Sequence, residues 1–293
     1  MNEHAGPKFT IVQLLVVMTM LVFGTIWFLG LWRTHGEPAN KIKCASNLRQ
    51  IALAMKMYTN NERGNAYPRT RYDPATADRP TAFTRPAATQ PFADDGPEAN
   101  DVTAAVYLIL RTQEITPDVF VCPVSVAPIE WTRMEYAPGK AAQSYSNFLS
   151  PANLSYSFQN PYPNEAAVKA GYKLTEDISA DFAVAADINP GSAELLTVRF
   201  ADAGGLQRKA NSPNHGGDGQ NVLYADAHVE WNASVWAGQR QDHIYTFAKY
   251  DIEAKGETPS PNLPPEPAGV VGSPVGPADS VLLPVWDANA AGR

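Results

Sequence analysis

The chain has 293 residues, of which 18% are charged and 44% hydrophobic, with a net charge of −7. That balance excludes a nucleic-acid binder, which needs a basic surface to neutralise phosphates. It also leaves enough apolar material for one domain with a real core once the two ends are set aside.

In chain order, residues 1–8 form a short polar leader and residues 9–32 an uncharged apolar run. At about 1.5 Å per residue that run makes a helix of roughly 36 Å, enough to cross a hydrocarbon core of about 30 Å, so a transmembrane helix is expected there. It exceeds the roughly 7 to 15 residues of a signal-peptide core and no small-x-small cleavage site follows it, which favours an anchor over a removed signal. Gly36, Glu37 and Pro38 then read as a helix breaker. Beyond it Ile42, Ala45, Leu48, Ile51, Met55 and Tyr58 recur at helical spacing, predicting an amphipathic stem over 33–64 that Gly64 closes in the left-handed conformation.

Residues 68–97 are proline-rich without apolar period and read as a long loop. Asn100 or Asp101 can cap a short helix through 102–110. Short strands are expected at 119–121, 155–158, 181–187, 195–200 and 221–224, with 227–231 completing a hairpin, as in an antiparallel sheet packed on a helix. Residues 256–293 are rich in Pro, Gly, Ala and Ser and read as a flexible tail, whose one apolar cluster, 281–286, suits a surface-docking segment.

The two cysteines are Cys44 in the stem and Cys122 in the body. An even count in an exported chain permits one disulfide, and two separate buried thiols fit the sequence as well. Imidazole and carboxylate are metal ligands, and Asp226 and His228 lie two apart, so on a strand they share a face. With His215 and with Asp187 or Asp202 they make a candidate site for a divalent ion. The competing reading is that His215 and Asp226 bond each other or the backbone and simply pin a turn. No nucleophile elbow, His-Glu-x-x-His helix or phosphate-cradling glycine loop is present, so no enzyme is predicted.

Phe9, Thr10, Leu14, Leu15, Val16 and Val17 fit the pattern Phe-Thr-Leu-Ile-Glu-Leu-Leu-Val-Val, and the segment resembles the prepilin N-terminus of type IV pilins and type II secretion pseudopilins. The stretch Lys43-Cys44-Ala45-Ser46-Asn47-Leu48-Arg49-Gln50-Ile51-Ala52-Leu53-Ala54 resembles a block of a large prepilin-type family that ends in a His, nine residues, Asp-Gly signature. Further blocks at 120–123, 153–162, 211–217 and 221–229 agree with it in order. In that family a prepilin peptidase cuts after a glycine and methylates the new phenylalanine. Here the nearest glycine is Gly6, Lys8 directly precedes Phe9, and Gln13 stands in place of the family's glutamate. Ten residues, not nine, separate His215 from Asp226, and Ala227 occupies the glycine position.

The resemblance implies a pilin-like α+β fold: a long N-terminal helix, transmembrane plus stem, packed on a small antiparallel sheet, with an exported head over 65–255. It implies a single pass through the inner membrane with the head in the periplasm or at the cell surface, although Arg33, Lys41, Lys43 and Arg49 argue the reverse by the positive-inside rule. The implied role is a pseudopilin-like assembly protein, minor or non-polymerising because Gln13 carries no charge to steer a neighbour. Its partners are then membrane lipid, like or related pilin-type subunits and the prepilin peptidase, with no nucleic acid. The alternative is a membrane-tethered metal-dependent hydrolase or binding module built on His215, Asp226 and His228.

Overall fold

The computed structural model describes residues 10–248 and 267–286. The leader with Gly6 and Lys8, together with Phe9, lies outside the described residues, as do 249–266 and 287–293.

Helix α1 (Ile11–Asn61) opens on a capping box, in which Thr10 Oγ1 accepts from the Gln13 amide while Gln13 Oε1 accepts from the Thr10 amide. It runs without interruption through Pro38 to Asn61, so the breaker and the division into two helices are not seen. Pro38 has the φ a helix needs and forfeits one backbone hydrogen bond. Burial of the turns that follow outweighs that loss: Cys44, Leu48, Ile51, Ala52, Met55 and Tyr58 all pack into the core. The helix stops at Glu62, whose backbone turns extended, and Gly64 follows with φ 74°.

Among the described residues no helix is long and apolar enough to cross a membrane. This overturns the transmembrane helix expected over 9–32, the transmembrane-plus-stem form of the pilin-like fold, and the single-pass inner-membrane localisation that rested on it. The reason is composition: a membrane span must stay apolar and lipid-facing along its length, and α1 instead becomes charged and buries one face of its later turns in the body. Farther along, α1 carries Glu37, Lys41 and Lys43.

The body is α+β. Strands β1 (Tyr156–Gln159), β2 (Ala183–Asp187), β3 (Gln220–Tyr224), β4 (Val229–Asn232) and, farther along the chain, β7 (Leu282–Leu283) form one antiparallel sheet in the order β4-β3-β2-β1-β7. The small pair β5 (Phe247–Ala248) and β6 (Pro267–Gly269) lies apart from it. Alternation along the strands splits the core. Phe158, Val184 and Leu223 face Leu48, Ile51 and Met55 of α1 and Tyr107 and Ile109 of α2 (Val102–Thr112). Ala186, Val222, Tyr224 and Leu282 face a second cluster with Leu195, Trp236, Ile244 and Tyr245. Two expected strands are absent: Pro117 starts a 3-10 turn (Pro117–Phe120) where 119–121 was assigned, and 193–196 is likewise a 3-10 turn ahead of an irregular stretch.

The proline-rich loop is held by Asp101. Its Oδ1 caps α2 through Ala104 N at 2.9 Å, while its Oδ2 accepts from Thr84 N at 2.8 Å and Asn147 Nδ2 at 3.0 Å. The region read as a flexible tail also differs from expectation. Leu282 and Leu283 complete the sheet edge against Phe158 and Gln159, with Leu282 fully buried. A dipeptide strand has no local pattern to announce it, and its stability comes from the pocket it fills. Leu282→Ala is therefore expected to lower stability by about 2–5 kcal/mol in urea unfolding, whereas a surface-docked tail would leave the midpoint unchanged.

Two buried carboxylates hold this segment down. Asp242 Oδ2 accepts from Ser280 N at 2.7 Å, and Asp279 accepts from Ala248 N at 3.0 Å and Val275 N at 2.8 Å. Burial pushes Asp279 up to about 7, while burial first and the charge of Asp279 second push Asp242 well above the carboxylate range. A carboxyl whose pKa is higher folded than unfolded binds its proton more tightly in the native state, so stability falls as pH rises through the window between about 4 and 7. Comparing thermal unfolding of the wild type with Asp279→Asn should show the variant gaining on the wild type from pH 5 to pH 8, and a pH-independent difference would refute this.

Candidate functional site

His215 sits in a 3-10 turn (Asn214–Gly217) whose backbone is left-handed at His215 (φ 60°) and Gly216 (φ 66°). Gly216 and Gly217 take their positive φ at little cost, His215 bears the strain of its own Cβ, and the turn places the imidazole inward with its side chain 0% exposed. Nδ1 lies 2.9 Å from Glu37 Oε1 on α1, so the ring donates there. Nε2 faces Asp187 Oδ2 at 3.6 Å and Cys122 Sγ at 3.7 Å. The edge of the ring meets Trp231 of β4, with centroids 5.4 Å apart, and Lys41 Nζ covers the Trp231 ring at 3.9 Å.

Asp187 ends β2 and is wholly buried. Its Oδ2 accepts from Asn221 N at 2.7 Å and Asn221 Nδ2 at 3.1 Å, and its Oδ1 from Asn214 Nδ2 at 3.4 Å. Burial raises its pKa, and the opposing pull of His215 and the amides is the smaller influence. Beside it Cys44 and Cys122 are joined in a disulfide with Cα atoms 5.4 Å apart across a sequence separation of 78. Closing a loop of that size stabilises the fold by about 4 kcal/mol on chain-entropy grounds. Asn47, one turn beyond Cys44, donates to Val121 O at 3.0 Å. The bridge, the Glu37–His215 bond and Asn47 thus fix α1 to the body at three adjacent points.

Of the five sequence-derived ligand candidates, four divide into two pairs. Asp187 and His215 belong to the buried cluster with Cys44 and Cys122, whose donor atoms lie within 4.8 Å of one another. Asp226 and His228 lie at the opposite end of β3, in the turn to β4 and not on a strand, and bond each other with Nδ1 2.5 Å from Oδ1. Asp226 Oδ1 also accepts from His228 N at 3.0 Å, which holds its carboxyl below the usual range, and the His228 ring stacks on Tyr224. Asp202 accepts from Arg199 N in an exposed turn away from both. His215 and Asp226 therefore pin two different turns. Sequence reading passed over Glu37, although it stands seven residues before Cys44, two helical turns along the same face.

Compared with protein-family models, with curated proteins and with solved structures, the chain finds no match. The site is thus defined by its own geometry. In this arrangement a buried imidazole lies between Asp187, Glu37 and the disulfide and ties α1 to the body.

Ala227 has φ 75°, in the turn between Asp226 and His228. That conformation is glycine's, and it is strained by roughly 1–2 kcal/mol for a residue with a Cβ. Ala227→Gly is expected to stabilise the chain by roughly 0.5–1 kcal/mol in equilibrium unfolding, after the entropy that glycine loses on folding is subtracted.

Proposed function

We propose that the chain is a prepilin-type assembly protein, a non-catalytic subunit that packs the projecting part of α1 against the same helix of other copies or of related subunits and presents its head to partners. One observation carries this reading. Ile11 is 79% exposed, Phe23 73% and Trp27 73%, and every large apolar side chain described between Ile11 and Trp27 is open to solvent, while the later turns of the same helix bury one face, with Cys44, Leu48, Ile51 and Met55, in the core. An apolar helical surface of that extent is what a helix-to-helix interface requires. Gln13 spends its amide on the helix cap and offers no charge to a neighbouring amine. That supports short or terminal assemblies over long filaments.

The full-length chain should form discrete oligomers in sedimentation velocity at micromolar concentration, and Val17→Asp with Leu21→Asp should return it to monomer. A wild type that stays monomeric, or oligomers indifferent to both substitutions, would end this reading. Mass spectrometry of the mature N-terminus tests the peptidase as partner, since a processed subunit begins at methylated Phe9 or at Pro7.

A further inference from the structure

The buried knot has the anatomy of a metal centre as well as of a staple. In tetrahedral zinc sites the bonds to sulfur, nitrogen and oxygen are about 2.0–2.3 Å, which sets neighbouring ligand atoms about 3.3–3.8 Å apart. His215 Nε2 already stands at that spacing from Asp187 Oδ2 (3.6 Å) and from Cys122 Sγ (3.7 Å), and Cys44 Sγ completes the four within 4.8 Å. The supporting contacts match too. Metal-bound histidines direct their second nitrogen to a carboxylate, and ligating carboxylates are themselves hydrogen-bonded. Here Nδ1 pairs with Glu37, which leaves Nε2 turned toward the sulfurs and Asp187, and Asn214 and Asn221 hold Asp187 in place. A disulfide alone requires none of this: a buried cystine has no need of a fixed imidazole and a buried carboxylate beside its sulfurs.

We propose that the knot is a redox-gated zinc site, in which Cys44, Cys122, Asp187 and His215 coordinate one Zn²⁺ in place of the bridge once the disulfide is reduced. The site is independent of the assembly role. A cleft of about 670 Å³ lined by Cys122 with Lys43, Asn47, Asp118 and Arg133 borders the bridge, whose two cysteines are buried at its wall. A dithiol entering there attacks one sulfur, the S–S bond breaks, and the reductant leaves as its own disulfide with the protein holding two thiols. Zinc binding then releases the two thiol protons to solvent. Oxidation and metal exclude each other, because both need the same sulfur electron pairs. In either state Cys44 stays tied to Cys122, so α1 remains seated.

The full-length chain, reduced with a water-soluble phosphine in the presence of Zn²⁺ and then desalted under anaerobic conditions, should retain about one zinc per chain by elemental analysis. The oxidised chain should retain none. Co²⁺ in its place should give thiolate charge-transfer absorption with tetrahedral ligand-field bands. Glu37→Gln, which keeps the fold and an acceptor, should weaken zinc binding about 10- to 100-fold, and His215→Gln should weaken it further, while both keep the near-ultraviolet circular dichroism of the oxidised wild type. The proposal is overturned if the reduced wild type retains no zinc, if it loses its near-ultraviolet signal with zinc present, or if His215→Gln binds zinc as tightly as the wild type.

Discussion

The contact on which the rest of the structure depends is the seating of one face of α1 against the sheet. The strands are short, from two to five residues, and β2 is mostly alanine, so they cannot cover themselves. Leu48, Ile51 and Met55 supply the missing layer, each contributing on the order of 1.5–3 kcal/mol by burial. Nothing in a smooth apolar face sets how far the helix slides or turns. The attachments at Glu37, Cys44 and Asn47 set it, since each ties the helix to particular atoms of the body at fixed distances.

Those attachments divide α1 into two environments. Past Cys44 it is a core helix, buried on one side and solvated on the other. Between Ile11 and Trp27 it carries apolar side chains with no layer of the described body over them. Exposed Phe23 and Trp27 leave apolar area that the described body does not cover, and this is the surface on which the proposed assembly rests.

What could be read in the sequence follows from how local each interaction is. The period of Leu48, Ile51 and Met55 marks the buried face, Asp101 ahead of an apolar stretch marks a cap, and alternation through Val222 and Tyr224 and on to Trp231 marks a hairpin, because each is decided within a few residues. The bond between Glu37 and His215 joins positions 178 apart, and Leu282 pairs with a strand more than a hundred residues earlier. No window along the chain contains both members of either pair. Membrane crossing failed for a different reason: hydropathy locates where the apolar surface begins, while the length of an uninterrupted span depends on what the helix becomes next. The candidate site was half visible. His215 and Asp187 were in view as ligands, but assigning Asp226 and His228 to a strand gave them a shared face that the turn does not provide.

Pro38 adds a mechanical asymmetry. A proline within a helix leaves the carbonyl one turn back without its donor, so resistance to bending is lowest there. That soft joint adjoins Glu37, where the clamped half of the rod meets the free half. A load applied to the free end is therefore expected to bend the helix at this turn before it disturbs the contacts beyond Cys44.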